Sequence, residues 1–214
     1  MTPDAALDQL AALGAADRAA DLTTRFGEVG AMGVAPQALE DLGRDWRASV
    51  PFPDRLDLAR ALWADGRLEA RLMAAKLLTQ ARIKEDADVW DHLTTWIAEA
   101  RNWAEVDALA SAGGRRLLAD LSRLAMIPEL GQSDRALDRR AALGLTLPLA
   151  KLANPSDAEV DALDDILPLL TATLNDPDKD VSRVADGWLR SLGKHDPKRA
   201  RMIRRVMDAR KSDS

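Results

Sequence analysis

The sequence predicts an all-helical protein built from paired helices, and two observations support this. Apolar residues recur at helical spacing along most of the 214 residues. Ala, Leu, Arg, Asp and Glu dominate the composition, whereas Tyr is absent and Phe occurs twice, so residues that favour strands are scarce. No useful length of chain alternates between apolar and polar residues as a half-buried strand does.

Two segments show the amphipathic helical pattern clearly. The segment from about residue 67 to residue 82 has its apolar residues on one face, which are Leu68, Leu72, Ala75 and Leu78. The next helix is marked by Val89, Leu93, Trp96 and Ala100. Each segment is therefore expected to bury one face and leave the other in solvent.

Turn-forming residues divide the chain into short helices. The expected breaks lie at residues 28–35, 50–54, 64–66, 112–114, 128–133, 153–156, 175–178 and 193–197. Two helix starts carry a capping signature: Asn102 with Glu105 three residues later, and Ser156 with Glu159. About ten to twelve helices of ordinary length fit between the breaks.

Helix pairs recur along the chain at about residues 67–100, 133–174 and 178–210. Their length of about 35–45 residues is the period of HEAT-type repeats. We therefore predict one domain over residues 1–214, a curved α-solenoid of HEAT-like pairs. In this prediction the helices of residues 1–65 cap the repeats of about residues 67–210.

Composition excludes several kinds of site. The chain has no Cys, which removes disulfides, thiolate zinc sites, iron–sulfur clusters and Cys nucleophiles. His92 and His195 lie far apart with no carboxylate at ligand spacing, so we expect no metal. Gly27, Gly30 and Gly33 are spaced G-x-x-G-x-x-G, which is not the dinucleotide-binding spacing, and we expect a loop there and no cofactor.

The start of the chain, MTPDAALDQL, has neither a basic stretch nor an apolar run, and no later stretch approaches about 18 consecutive apolar residues. We therefore expect a cytoplasmic protein that does not enter a membrane.

Charge is distributed unevenly along the chain. The formal net charge is −5, with 30 basic and 35 acidic residues, which by itself argues against nucleic acid. Residues 183–211 nevertheless carry ten basic side chains against Asp186, Asp196 and Asp208, a local charge of +7. This stretch is either a solvated face of a terminal helix or a surface for a polyanion.

Five elements in order resemble the AlkD-like DNA alkylation repair glycosylases, a family built from HEAT-like repeats. They are RFGEVGAMGVAPQALEDLGRDW, LWADGRLEARLMAAKLL, NWAEVDALA, LDRRAALGL and GWLRSLGKHDP, and together they cover most of the chain. The resemblance implies a monomeric enzyme that hydrolyses the N-glycosidic bond of cationic alkylated purines in double-stranded DNA without a metal. It also implies roles for individual residues.

By this resemblance Asp107 matches the catalytic carboxylate, Trp103 the aromatic one turn before it, and Arg140 the arginine that steadies the DNA backbone. Trp188 lies one position after the place of the family's second aromatic, which falls on Gly187. The implied DNA-binding residues are Trp188, Arg139, Arg183, Arg190, Lys194 and Lys198. The tryptophans assigned instead to packing between helices are Trp46, Trp63, Trp90 and Trp96.

The chemistry of these residue types suits that reaction. In a helix opened by Asn102, Trp103 and Asp107 are an i,i+4 pair and share a face. A fixed carboxylate stabilises an oxocarbenium-like sugar and orients water, and an indole face packs against a cationic base. The alternative is a non-enzymatic HEAT-like module that binds DNA structure or a protein partner. Acidic composition and the displaced Trp188 favour that alternative.

Overall fold

The computed structural model describes the chain through residue 212, and its side chains through residue 205. The described residues contain α-helices and short 3-10 helices and no strand, which confirms the all-helical prediction. They form two compact units, one of residues 1–112 and one that begins at Gly113. The boundary between the units falls inside one long helix, α7.

The first unit contains six helices and the start of a seventh. They are α1 (Pro3–Ala12), α2 (Ala16–Phe26), α3 (Pro36–Ser49), α4 (Phe52–Asp65), α5 (Leu68–Leu78), α6 (Ala87–Glu99) and α7 (Trp103–Ala119). Helix α5 is the central element, because α3 and α4 both pack against it and eight of its eleven residues are buried. This segment was expected to bury one face and leave the other in solvent. Because α5 is packed on several sides, it buries more than one face.

The second unit contains the remaining helices of the described chain. They are α8 (Ile127–Gln132), α9 (Ala136–Thr146), α10 (Asp157–Thr173), α11 (Lys179–His195) and α12 (Pro197–Ser212), with 3-10 helices at Leu121–Met126 and Leu149–Lys151. Helix α11 packs against both α9 and α12. The segments of the predicted pairs contain α5 and α6, α9 and α10, and α11 and α12, although α5 packs most extensively against α4. The twelve α-helices in the described residues agree with the expected number.

Two of the expected breaks are wrong. Residues 112–114 lie inside α7, and a Cβ on Gly114 would approach Pro148 Cγ to 2.9 Å and the carbonyl oxygen of Leu145 to 3.0 Å. The glycine therefore permits a close helix contact, which offsets its low helix propensity. Residues 128–133 lie largely in α8, where Pro128 occupies the first turn, a position in which proline costs no intrahelical hydrogen bond.

The loop between α2 and α3 is held by a buried carboxylate. Glu69 of α5 accepts hydrogen bonds from the backbone N–H groups of Met32, Gly33 and Val34 at 2.8, 2.7 and 3.1 Å. Gly33 has φ of 80°, and a Cβ there would lie 2.1 Å from the carbonyl oxygen of Ala15. The loop expected from the glycine spacing is confirmed, and it follows a helix.

Tryptophans fill much of the first unit. Trp46, Trp63 and Trp96 are buried, as the packing assignment predicts, and Trp90 is half-buried. The rings of Trp63 and Trp96 stack with centroids 4.9 Å apart.

Among the described residues, no helix combines the length and the apolar character needed to cross a membrane.

Candidate functional site

The start of α7 is fixed by its N-cap. Asn102 Oδ1 accepts hydrogen bonds from the backbone N–H groups of Ala104 and Glu105, both at 3.1 Å. Such a cap contributes about 1 kcal/mol and satisfies donors that the helix itself leaves open. The capping signature seen in the sequence is therefore present, and it makes Trp103 the first residue of the helix.

The inner side of this first turn is anchored by Glu105, which is fully buried. Its carboxylate accepts from Arg71 of α5 at 3.2 Å, from the backbone N–H of Arg101 at 3.0 Å and from Asn102 Nδ2 at 3.0 Å. A buried charge of this kind is tolerated because it is paired and hydrogen-bonded. The contact with Arg71 also fixes the rotation of α7 about its own axis.

Trp103 and Asp107 lie on the opposite side of α7 from Glu105. At about 100° per residue, Trp103 and Asp107 are about 40° apart, whereas Glu105 is about 200° from Trp103. Asp107 is exposed, and Trp103 is half-buried. The structure thus brings an indole and a solvent-facing carboxylate together on one face of the helix.

Two residues outside the predicted site, Arg25 and Phe26, contact Trp103. Phe26, the last residue of α2, meets the indole edge to face, with ring centroids 5.2 Å apart. The Arg25 guanidinium carbon lies 4.5 Å from the Trp103 ring centroid and 5.4 Å from that of Phe26. The signal in the sequence was an adjacent Arg-Phe pair at the end of an amphipathic helix, but its distance from Trp103 along the chain gave no reason to join them.

The adjacent arginines of α9 in the second unit have different surroundings. Arg139 forms two hydrogen bonds to the carboxylate of Asp176, at 2.7 and 2.8 Å, and donates to the carbonyl oxygen of Ser133 at 2.8 Å. The hydrogen bonds that Arg139 donates to the Asp176 carboxylate hold the pKa of Arg139 above its ordinary value. Arg139 therefore joins loop segments of its own unit, which differs from the DNA-binding role expected for it.

Arg140 is half-buried, and its Nη1 donates to the carbonyl oxygen of Asp180 at 3.3 Å. This contact places the guanidinium near the start of α11, where Asp180 lies in the first turn.

Trp188 lies in the core of the second unit. Its side chain is 1% exposed, and its Nε1 donates to Thr146 Oγ1 at 3.3 Å. Trp188 was expected on the DNA-binding surface, but its indole is enclosed by the protein and has no face in solvent. The hydroxyl of Thr146 satisfies the indole N–H, which is what a buried tryptophan requires.

The other predicted DNA-binding residues are exposed. Arg183, Arg190 and Lys194 are spaced along α11 at intervals that repeat one face of a helix, and Lys198 lies in the first turn of α12. Arg183 also pairs with Asp180 at 2.5 Å. Arg210 and Lys211, the last basic residues of the +7 stretch, lie outside the described side chains.

No group of three or more His, Asp or Glu side chains with the geometry of a metal site occurs in the described part of the chain. His92 Nε2 accepts a hydrogen bond from Arg60 Nε at 2.8 Å, and its ring stacks on Trp96.

Comparison with known proteins places the chain in a family. The family model of the DNA alkylation repair enzymes matches residues 6–202. Searches of curated proteins and of solved structures found no match. Since the family model covers nearly the whole sequence, including both units and the start of α7, the chain belongs to the DNA alkylation repair enzyme family.

Proposed function

We propose that this protein is a DNA glycosylase that hydrolyses the N-glycosidic bond of cationic alkylated purines in double-stranded DNA. The observation that carries the proposal is the pairing of Trp103 with Asp107 on one face of α7, with the carboxylate in solvent and Glu105 anchoring the opposite face. Membership of a DNA alkylation repair family supports the same chemistry.

The proposed mechanism follows from the charge of the substrate. Alkylation of a ring nitrogen places a positive charge on the purine, which makes the base a leaving group without strong acid catalysis. As the bond to the sugar lengthens, positive charge develops on the deoxyribose. The Asp107 carboxylate stabilises that charge and orients a water molecule toward the anomeric carbon.

Trp103 supplies an aromatic surface beside the carboxylate. An indole face attracts a cation through its quadrupole, by about 0.5 to 2 kcal/mol depending on exposure. The cationic base or the charged sugar therefore gains more from this surface than a neutral nucleoside does. In this proposal Trp103 discriminates by charge, and Asp107 promotes the bond cleavage.

DNA binding is proposed for the second unit. Arg140 is the proposed ligand of a backbone phosphate, and Arg190, Lys194 and Lys198 add exposed positive charge. Affinity for a polyanion follows the local potential, which is screened over about 8–10 Å at ordinary ionic strength. The net charge of −5 therefore does not prevent binding by a surface whose own charge is positive. We propose a cytoplasmic monomer that needs no metal or other cofactor.

The test is release of free base from methylated duplex DNA, comparing wild type with Asp107→Asn. This substitution keeps the shape of the side chain and removes its charge. Asp45→Asn on α3 is the matched control, because Asp45 is also an exposed helical aspartate of the first unit. Release by wild type and by the control, with loss in the Asp107 variant, supports the proposal. Equal release by all three proteins contradicts the role of Asp107.

The second candidate is a module of the same fold that binds DNA without cleaving it. Two observations favour this candidate: Trp188 is buried, and the Arg139 guanidinium is hydrogen-bonded to the Asp176 carboxylate. Neither side chain is therefore placed for the DNA contact that was expected of it. This candidate is supported if the protein binds alkylated duplex DNA tightly but releases no base, even when the enzyme is stoichiometric with the DNA and the incubation lasts hours.

A further inference from the structure

An apolar groove lies in the second unit, between α10 on one side and α8 with the 3-10 helix before it on the other. Its volume is about 590 Å³. Ile127 and Ile166 form its buried base, and Ala125 and Ala172 are exposed and line it with short side chains. This cleft, called the α8–α10 groove below, therefore has room for apolar side chains that the chain itself does not supply.

The walls of the α8–α10 groove carry negative charge. Helix α10 has five acidic residues and no basic one, and α8 has one acidic residue, Glu129, and no basic one. Asp165 lines the groove, and Asp161 lies one turn earlier on the same face of α10. All three carboxylates are exposed, and no ion pair joins any of them to another described residue. The groove is therefore an apolar surface beside unpaired negative charge.

The other acidic residues of α10 have roles within the fold. Asp157 and Glu159 lie in the first turn, where the helix dipole favours negative charge, and Glu159 also completes the capping box. Asp164 forms an ion pair with α12 at 2.8 Å. Asp161 and Asp165 have no such role, and they are the two acidic residues on the side of α10 that faces the groove.

The groove also offers a hydrogen-bond acceptor from the backbone. Pro168 of α10 lines the groove and has no N–H, so the carbonyl oxygen of Asp164 receives no hydrogen bond from the residue four positions later. Acceptors and negative charge favour a ligand that donates hydrogen bonds and is cationic. DNA presents negatively charged acceptors and is repelled by this surface, in contrast to the basic surface of α11 in the same unit.

We propose that the α8–α10 groove binds a basic amphipathic helix of a partner protein. From Asp165 to Ala172 the groove follows α10 for about 10 Å, which is two helical turns and matches an apolar stripe at positions i, i+3, i+4 and i+7 of a docked helix. Lysines or arginines beside that stripe meet Asp161, Asp165 and Glu129. The proposal goes beyond the proposed function and does not depend on base release.

The experiment measures the binding of three fluorescein-labelled peptides to the full-length protein by fluorescence anisotropy. Each peptide has about 14 residues, or four helical turns. The basic peptide has leucines on one face of the helix and lysines elsewhere, and the acidic peptide has glutamates in place of the lysines. The scrambled peptide has the composition of the basic one with its leucines spread around the helix. We expect wild type to bind the basic peptide at least about tenfold more tightly than either of the others.

Asp165→Lys tests the contribution of charge. It should weaken binding of the basic peptide about tenfold, because two unit charges 4 Å apart in water attract by about fivefold in affinity and this attraction is replaced by repulsion. The same variant should bind the acidic peptide more tightly than wild type does. Asp186→Lys is the matched control, because Asp186 is an exposed helical aspartate of the same unit that does not line the groove.

Ala172→Gln tests the apolar part of the groove. It places a longer polar side chain in the cleft and should weaken binding of the basic peptide about tenfold, because apolar contact is lost. Ala158→Gln is its control, because Ala158 is an exposed alanine of α10 that does not line the groove. Thermal unfolding of every variant confirms that folding is retained.

Four results would overturn the inference. The basic peptide fails to bind wild type, it binds the groove variants as tightly as wild type, or the scrambled peptide binds as tightly as the basic one. The fourth is self-association of the protein alone, measured by sedimentation velocity and abolished by Ala172→Gln, which would mean that a second copy of the chain fills the groove. Weakening in Asp165→Lys and Ala172→Gln but not in the two controls supports the proposal.

Discussion

Arg71 donates from Nη1 to the carboxylate of Glu105 at 3.2 Å, and this contact joins α5 to the first turn of α7. Arg71 also lies with its guanidinium carbon 4.4 Å from the Trp63 ring centroid. The pair lies on the side of α7 that faces away from Trp103 and Asp107. It therefore fixes the direction in which the two site residues point without contacting a substrate.

We expect Glu105→Gln to destabilise the protein by about 3 kcal/mol, because it leaves the Arg71 guanidinium without its buried carboxylate. Base release should fall as well, since the first turn of α7 loses its anchor. Chemical denaturation measures the first effect. Asp41→Asn is the control: its ion pair with Arg44 is exposed, and such pairs contribute at most about 1 kcal/mol. Similar losses in the two variants would contradict the anchoring role.

Asp107→Asn should reduce base release from methylated duplex DNA by a factor of 100 or more, on the order of the effect of removing one stabilising group from a charged transition state. The free energy of unfolding should change by less than about 0.5 kcal/mol, because Asp107 is exposed. Single-turnover kinetics and denaturant unfolding give the two values. A variant that is inactive only because it is unfolded would fail the second measurement.

DNA affinity should fall as the salt concentration rises, because the proposed phosphate contacts are made by Arg140 of α9 and by the basic side chains of α11. Each phosphate contact contributes a slope of about −0.9 to the plot of log affinity against log salt. Arg140→Ala and Lys194→Ala should each reduce the slope by about one, on undamaged duplex as on damaged. Arg190→Glu should do more, because it replaces attraction with repulsion.

Arg60→Ala is the control for the salt series, because Arg60 is an exposed arginine of the first unit that pairs with Asp57. Its slope should equal that of wild type. Affinity that is independent of salt in every protein would mean that the basic stretch is a solvated helix face, and the protein-partner interpretation would then gain support.

The free energy of unfolding should decrease at acid pH, in part because Asp176 becomes protonated and loses its ion pair with Arg139. The hydrogen bonds from Arg139 hold the pKa of the Asp176 carboxyl below its ordinary value. A depressed pKa contributes stability that is present above the unfolded pKa of about 4 and is lost as the pH falls through the lower folded value. Asp176→Asn should therefore remove part of the loss seen in wild type below about pH 4. Denaturant titrations between pH 3 and pH 7 test this, and identical pH profiles would exclude the contribution.

Two helical glycines should respond in opposite ways to alanine. Gly114→Ala places a Cβ 2.9 Å from Pro148 Cγ, so we expect destabilisation of about 1 to 3 kcal/mol. Gly187→Ala on α11 meets only Arg190 Nη2, at 3.6 Å, and should stabilise by up to about 1 kcal/mol through helix propensity. Thermal or chemical unfolding measures both. Stabilisation by both substitutions would show that α7 does not need the close contact at Gly114.

The sequence by itself determined the helical class, most of the helix boundaries and the start of α7. These are local properties: apolar periodicity selects a helix, and the Asn102 side chain bonds donors two and three residues away. Because a helix fixes the angle between residues four apart, the shared face of Trp103 and Asp107 also followed from the sequence.

Only the tertiary structure decided what lies across from each side chain. Helix α7 continues through Gly114, where Leu145 and Pro148 pack closely against it. Trp188 lies in the core, where Thr146 accepts its N–H. Arg139 forms an ion pair with Asp176 across the second unit. Arg25 reaches Trp103 in the same way, from a different helix. These contacts join residues more than 30 positions apart, and local periodicity specifies which face of a helix is buried but not which residue covers it.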